Sequence, residues 1–132
     1  MMLRTRRYKD VGQSTASPER LMVLLLRAAL SAMETARAGI ANPKDVSEHK
    51  VGAALLKAQE IIAELQATLD PSRAPALCAS LADVYSFVTW RLTAARNSGD
   101  LVAVNDAIRC FSPIVQAFET AVGGSSNAPR SP

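Results

Sequence analysis

Few residues of this chain have the types and spacing that catalysis requires. His49 is the sole histidine, and Cys78 and Cys110 are the two cysteines, so the sequence has neither a histidine-rich metal site nor a Cys-x-x-Cys pair. It also has no glycine-rich phosphate loop and no Gly-x-Ser-x-Gly elbow for a serine nucleophile. We therefore expect that the protein is not an enzyme and that it uses no cofactor and no catalytic metal.

Two kinds of helical protein could still use single residues of this chain for chemistry. A histidine phosphotransfer domain has an exposed histidine in mid-helix, in a pattern similar to His-x-x-Lys-Gly, whereas here Lys50 follows His49 directly in the first turn of an expected helix. A helical mutase that acts on a small dianion needs several arginines inside the bundle. Arg91 alone lies at the edge of an expected core stripe. Phosphotransfer is therefore kept as a remote alternative, and the mutase is disfavoured.

The net charge of +3 is concentrated at the N terminus. Residues 1–20 contain five cationic and two acidic side chains, so the rest of the chain is neutral overall and has no basic stripe. We therefore predict no binding to nucleic acid. The longest apolar run, residues 21–26, is too short to cross a bilayer and lies behind charged residues, which is unlike a signal peptide. We expect a cytoplasmic protein without membrane insertion, and its two separate cysteines fit a reducing compartment.

Proline, glycine and capping residues divide the chain into four expected helices, at residues 18–41, 45–70, 75–97 and 100–123. Ser17 and Asp100 can cap the first and fourth helices, and the segment that begins at Asp45 has the spacing of a capping box for the second. Pro113 lies inside the fourth helix, where a proline costs roughly 3 kcal/mol. We expect a kink or a break near Ser112.

Heptad spacing of apolar residues predicts how these helices pack. The stripes are Val51, Leu55, Ala58, Ile62, Leu65 and Leu69 on the second helix, Leu77, Leu81, Val84, Val88, Leu92 and Ala95 on the third, and Leu101, Val104, Ile108, Phe111, Val115, Phe118 and Val122 on the fourth. Because the connections are short, neighbouring helices should run antiparallel. The sequence therefore predicts an all-α, up-down-up-down four-helix bundle over residues 18–122. A flexible basic arm, residues 1–17, precedes it, and a disordered tail, residues 123–132, follows it.

The first helix has more apolar residues than one core face can use. One stripe consists of Leu21, Leu25, Ala28, Ala32 and Ala36, and a second stripe beside it consists of Met22, Leu26, Ala29, Met33 and Ile40. Two interpretations fit: a central helix that is buried on both sides, or a helix whose adaptable methionines line a groove for another chain.

Large apolar residues also lie away from the core stripes of the second and third helices. Trp90 lies nearly opposite the core stripe of the third helix, Phe87 lies one turn before it, and Leu56 is similarly displaced on the second helix. Exposed apolar patches of this kind mark interaction surfaces.

Three segments, in order along the chain, resemble the FliS family of flagellar secretion chaperones. The segment 15–19 is similar to the T-A-S-P-E that opens the family's first helix, and Tyr8 matches the tyrosine that precedes that helix. Residues 57–70 look like the family's K-A-Q-x-I-I-x-E-L-x-x-x-L-D block, and residues 81–92 are similar to its L-x-x-L-Y-D-Y-x-x-R-x-L block. The resemblance extends from Tyr8 to Val122.

The resemblance implies an export chaperone that binds the C-terminal helical segment of flagellin, or a similar secretion substrate, and prevents premature polymerisation. The alternative is a structural or regulatory bundle that uses the same apolar surface to form a homodimer. We expect the arm that carries Tyr8 to fold over apolar surface when no partner is bound. The residues predicted to face the partner are Tyr8, Met22, Leu26, Met33, Leu56, Phe87, Trp90 and Ile114.

Overall fold

The computed structural model describes residues 17–127, and their side chains as far as residue 123. The chain forms four α-helices: α1 (Pro18–Ala41), α2 (Glu48–Ala67), α3 (Pro75–Ser98) and α4 (Leu101–Asn127). There is no β-strand within residues 17–127. The expected all-α fold with four helices is confirmed.

The helices form a closed antiparallel bundle. Each helix packs against its neighbours in sequence, and α1 also packs against α4. The start of α1 lies beside the end of α4, because Met22 and Phe118 line the same groove. The end of α1 lies beside the start of α4, where Arg37 and Asn105 line another. This arrangement confirms the predicted up-down-up-down topology.

Side-chain caps determine where α1 and α4 begin. The backbone N–H of Arg20 donates to Ser17 Oγ at 3.2 Å, and the backbone N–H of Val102 donates to Asp100 Oδ1 at 3.0 Å. Both caps were predicted, because serine and aspartate satisfy backbone donors that the first turn of a helix leaves free. Gly99, which ends α3, has a φ of 66°, a left-handed conformation that favours glycine.

The N-cap of helix α2 lies two residues later than the capping-box spacing indicated, at Ser47 and not at Asp45. Ser47 is its cap and accepts a hydrogen bond of 3.1 Å from the backbone N–H of Lys50. Asp45 lies in the preceding turn, where its backbone N–H donates to the carbonyl of Asn42. Asp45 and Ser47 are both residues that can cap a helix. Asp45 belongs to the turn after α1, so Ser47 caps α2.

The core contains apolar residues from all four helices. The largest fully buried side chains are those of Tyr85, Phe111, Leu26, Met33, Leu55, Ile61, Ile62, Leu65, Leu92, Val88, Val104 and Val115. Most members of the predicted heptad stripes are buried here. Leu77 is an exception at 53% exposure, because it lies in the first turn of α3, at the end of the bundle, where fewer neighbours surround a side chain.

Helix α4 differs most from the sequence prediction. It continues through Pro113 from Leu101 to Asn127, so a break near Ser112 is wrong. Phe111 and Val115 flank the proline and are fully buried, and their packing holds the helix together on both sides. The assignment of residues 123–127 to the tail is also wrong, since extending an existing helix avoids the cost of nucleation. The rest of that tail, residues 128–132, and residues 1–16 of the arm lie outside the described residues.

Candidate protein-binding surface

The outer face of α3 carries two exposed aromatic side chains, Phe87 and Trp90, which we call the aromatic pair. Phe87 is 38% exposed and Trp90 is 62% exposed. Their ring centroids are 5.8 Å apart and the rings meet edge to face, a geometry that stabilises aromatic contacts. Of the residues predicted to face a partner, these two are brought into direct contact.

The aromatic pair is exposed because of its position relative to the buried face of the same helix. Tyr85, Val88 and Leu92 of α3 are buried in the core. A helix turns by about 100° per residue, so Trp90 points roughly 200° away from Val88. No rotation of α3 could bury both faces within one bundle, and the pair is left for another molecule or for solvent.

Arg91 lies against the indole of Trp90. Its guanidinium carbon is 4.9 Å from the ring centroid of Trp90. Its Nη2 is 3.2 Å from Asp106 Oδ2 and 3.9 Å from Asp100 Oδ2. The Nε atom is buried and has no hydrogen-bond partner among the described residues. Because the carboxylates of Asp106 on α4 and of its capping residue Asp100 already neutralise this guanidinium, Arg91 does not provide the dianion clamp of a mutase.

A groove at one end of the bundle holds a further predicted residue, Met22. This end groove has a volume of about 700 Å³ and is lined by Ser17, Pro18, Glu19, Met22, Phe118, Ala121 and Val122. Met22 and Phe118 are half-buried and pack against the core. The chain enters the bundle at this groove. Tyr8, the predicted residue of the arm, lies outside the described residues.

The other predicted residues either lie on helices away from the aromatic pair or are buried in the core. Leu56 is 42% exposed on α2, and Ile114 is half-buried on α4 against the core. Leu26 and Met33 are completely buried, so their assignment to a partner-facing surface is wrong. Both α2 and α4 pack against α1, and these two helices together cover the second apolar stripe.

The sequence pattern did not predict a groove that lies between α1 and α2. It has a volume of about 540 Å³ and is lined by Leu24, Arg27, Ala28, Ser31, Ala32, Thr35, Ala54 and Lys57. Leu24 is 47% exposed there, and Val102 at the start of α4 is 63% exposed. Leu24 lies off both stripes of the first helix, which is the signal that could have identified it.

Sites of other kinds would need a cluster of metal ligands, a membrane-spanning helix or a histidine in mid-helix. Within residues 17–127, no group of three or more histidine, cysteine or acidic side chains could hold a metal ion. None of the helices there is long and apolar enough to cross a membrane. His49 is exposed in the first turn of α2, where the sequence placed it, and not in mid-helix.

Comparisons with known proteins identify relatives of the whole domain. The family of flagellar protein FliS matches residues 1–125. A solved structure, the crystal structure of a flagellar chaperone from bacteria, resembles this one with a TM-score of 0.69. The two chains are 15% identical, and the match covers 93% of this chain and 98% of the other. At that identity the likeness shows a common fold. No curated protein sequence matches the chain.

Proposed function

Because the chain belongs to the FliS family of flagellar proteins, we propose that it is a cytoplasmic export chaperone for flagellin. The proposed client segment is the C-terminal helical segment of flagellin, which the chaperone holds in a non-polymerising state until secretion. The fold that the chain has in common with a bacterial flagellar chaperone supports this proposal.

The exposed aromatic pair is the observation that carries the proposal. A monomeric flagellin tail cannot bury its own apolar face, and an amphipathic helix of that kind docks on an apolar surface of its partner. An aromatic side chain such as Trp90 buries up to about 250 Å², so covering its exposed part would stabilise a complex by roughly 2–4 kcal/mol. Trp90 is therefore the proposed anchor of the client, with Phe87 beside it.

We assign five described residues to the client surface: Met22, Leu56, Phe87, Trp90 and Ile114. They differ in how much of each side chain is exposed to a partner. The aromatic pair and Leu56 are already exposed, whereas Met22 and Ile114 are half-buried and offer only part of their side chains. Leu26 and Met33 are excluded by their burial.

The arm provides a competitor for the client in this proposal. Tyr8 adds one aromatic ring to a segment that is otherwise rich in cations, and this segment joins the bundle at the apolar end groove. Covering that groove in the absence of client would lower the apparent affinity, because the client must first displace the arm. Deletion of residues 1–16 should then strengthen client binding.

Co-purification with the flagellin encoded in the same genome tests the proposal. A stoichiometric complex, together with slower polymerisation of flagellin in its presence, is the expected result. The same protein with the C-terminal segment of flagellin removed provides the matched control, and it should not bind. If full-length flagellin does not bind at micromolar concentration and the chain is instead a stable homodimer, the structural or regulatory alternative replaces the chaperone.

A further inference from the structure

Arg91 connects the aromatic pair to the neighbouring helix α4. We infer that Arg91 is a positioning residue, which fixes the indole of Trp90 in the orientation that receives the client. This inference rests on the proposed function, because the client defines the orientation that matters.

The guanidinium of Arg91 lies against the indole of Trp90. A separation of 4.9 Å between the Arg91 guanidinium carbon and the Trp90 ring centroid lies within the range of a cation–π interaction. The planar guanidinium offers a flat surface to the ring, which the ammonium of a lysine does not. The ring therefore has two defined contacts, the edge contact with Phe87 and the contact with the guanidinium of Arg91.

Asp106 of α4 and its capping residue Asp100 hold the guanidinium itself. Asp106 Oδ2 lies 3.2 Å from Arg91 Nη2, and Asp100 Oδ2 lies 3.9 Å from it. Asp100 is fixed in turn, since its other carboxylate oxygen accepts the capping hydrogen bond from Val102. The Arg91 side chain is only 15% exposed. Asp100 and Asp106 thus fix the Arg91 guanidinium relative to α4, and the guanidinium in turn fixes the Trp90 indole on α3.

A restraint on the Trp90 indole changes how strongly it can bind a partner. A side chain that is 62% exposed would otherwise exchange among rotamers, and a complex would have to immobilise it. Loss of rotamer freedom weakens association, so an indole that is already fixed binds more tightly. Removing the restraint should therefore weaken client binding by about three- to tenfold, less than removing the indole.

Tryptophan fluorescence measures the restraint without any client, since Trp90 is the only tryptophan of the chain. In the full-length protein, Arg91→Met should speed the local anisotropy decay of the indole. Arg91→Lys keeps the charge near Asp106 but loses the planar surface, and it should restore only part of the restraint. Arg109→Met is the matched control. It removes the other arginine that pairs with Asp106, at 3.5 Å, and should leave the decay unchanged.

The same variants are then titrated with a peptide that covers the C-terminal helical segment of flagellin from the same genome. Faster indole motion together with weaker binding in Arg91→Met, and neither change in Arg109→Met, supports the inference. Unchanged indole motion in Arg91→Met overturns it, whatever the peptide does. Faster motion with unchanged affinity also overturns it. In that case, weaker binding by Trp90→Ala would show that the proposed function still stands.

Two further results distinguish failure of the inference from failure of the variant to fold and from failure of the proposed function. If Arg91→Met does not fold, Asp106→Asn replaces it, because that variant keeps the guanidinium and removes its nearer anchor. It should also increase indole motion, and no increase there overturns the inference. If the wild-type protein itself does not bind the peptide, the proposed function fails and the inference fails with it.

Discussion

Helices α1 and α3 use their apolar residues differently. On α1, the second apolar stripe lies beside the first, and Leu26 and Met33 are completely buried between the flanking helices. On α3, Trp90 lies opposite the buried Val88 and stays exposed, and Phe87 beside it is partly exposed. The difference indicates that surplus apolar surface stays exposed where it points away from both neighbouring helices. Stripes about 100° apart can be covered together, whereas residues about 200° apart cannot.

The buried side of this comparison predicts the largest effect. Met33→Ala should lower the free energy of unfolding by about 2–5 kcal/mol, because it removes a fully buried side chain and leaves a cavity. Met22→Ala is a control of the same residue type on the same helix, and it should cost less because Met22 is half-buried at the end groove. Urea denaturation measures both. Equal losses of unfolding free energy in the two variants would mean that Met22 and Met33 are packed equally well.

Tyr85 provides the corresponding test on the inner face of α3. Burial raises its pKa to about 12 from the ordinary value of 10.0, so the folded state holds the phenolic proton more tightly than the unfolded state. This stability is fully present below pH 10 and is lost as the pH rises from 10 towards 12, by about 2–3 kcal/mol in total. Urea denaturation across this range should show the loss. Tyr85→Phe should lack that component, and an identical pH dependence in the variant would contradict the assignment.

Glycine substitutions test the close approach of α1 and α2. A Cβ atom at Gly39 would clash with Val51 Cγ2 and lie 3.0 Å from Val46 Cγ1, so Gly39→Ala should destabilise the fold by about 1–3 kcal/mol. At Gly52 of α2, a Cβ would have no heavy atom within 4 Å among the described residues other than its chain neighbours and the backbone of its own helix. Because alanine is the better helix former, Gly52→Ala should stabilise by up to about 1 kcal/mol. The two substitutions should therefore shift the melting temperature in opposite directions, and a shift of the same sign would contradict the packing.

The outward face of α1 predicts the smallest effect. Arg27 donates to both carboxylate oxygens of Glu119 on α4, with its Nη2 2.7 Å from Oε1 and its Nε 3.0 Å from Oε2. These side chains are 49% and 34% exposed, so solvent and salt weaken the pair. Arg27→Met should cost only about 0.2–1 kcal/mol of unfolding free energy, and less in high salt. A loss as large as that of Met33→Ala would show that this face is part of the core.

The sequence predicted the features of the fold that depend on local chemistry. Ser17 and Asp100 cap helices because their side chains accept bonds from nearby backbone donors, and the heptad spacing of α2 to α4 identified most of the core. The expected break at Pro113 was wrong because the penalty of a proline is local, while Phe111 and Val115 on either side of it are fully buried in a core to which all four helices contribute.

The candidate site was predicted less well, for a related reason. The position of Trp90 opposite its own core stripe can be read from one helix alone, and the structure agrees with it. The burial of Leu26 and Met33 depends on how many helices surround α1, which periodicity does not show. The contact of Arg91 with Asp106 joins two helices, so no spacing within one segment could have revealed it.

The central claim is that the aromatic pair, and not the second stripe of α1, receives the client. Isothermal titration of the C-terminal segment of flagellin with wild-type protein and with Trp90→Ala tests it most directly. The variant should bind at least about tenfold more weakly, because truncation of a large aromatic anchor often costs ~2 kcal/mol or more. Its melting temperature should change little. Unchanged affinity, or an unfolded variant that retains binding in its folded fraction, would contradict the claim and place Trp90 in the core or in a dimer interface.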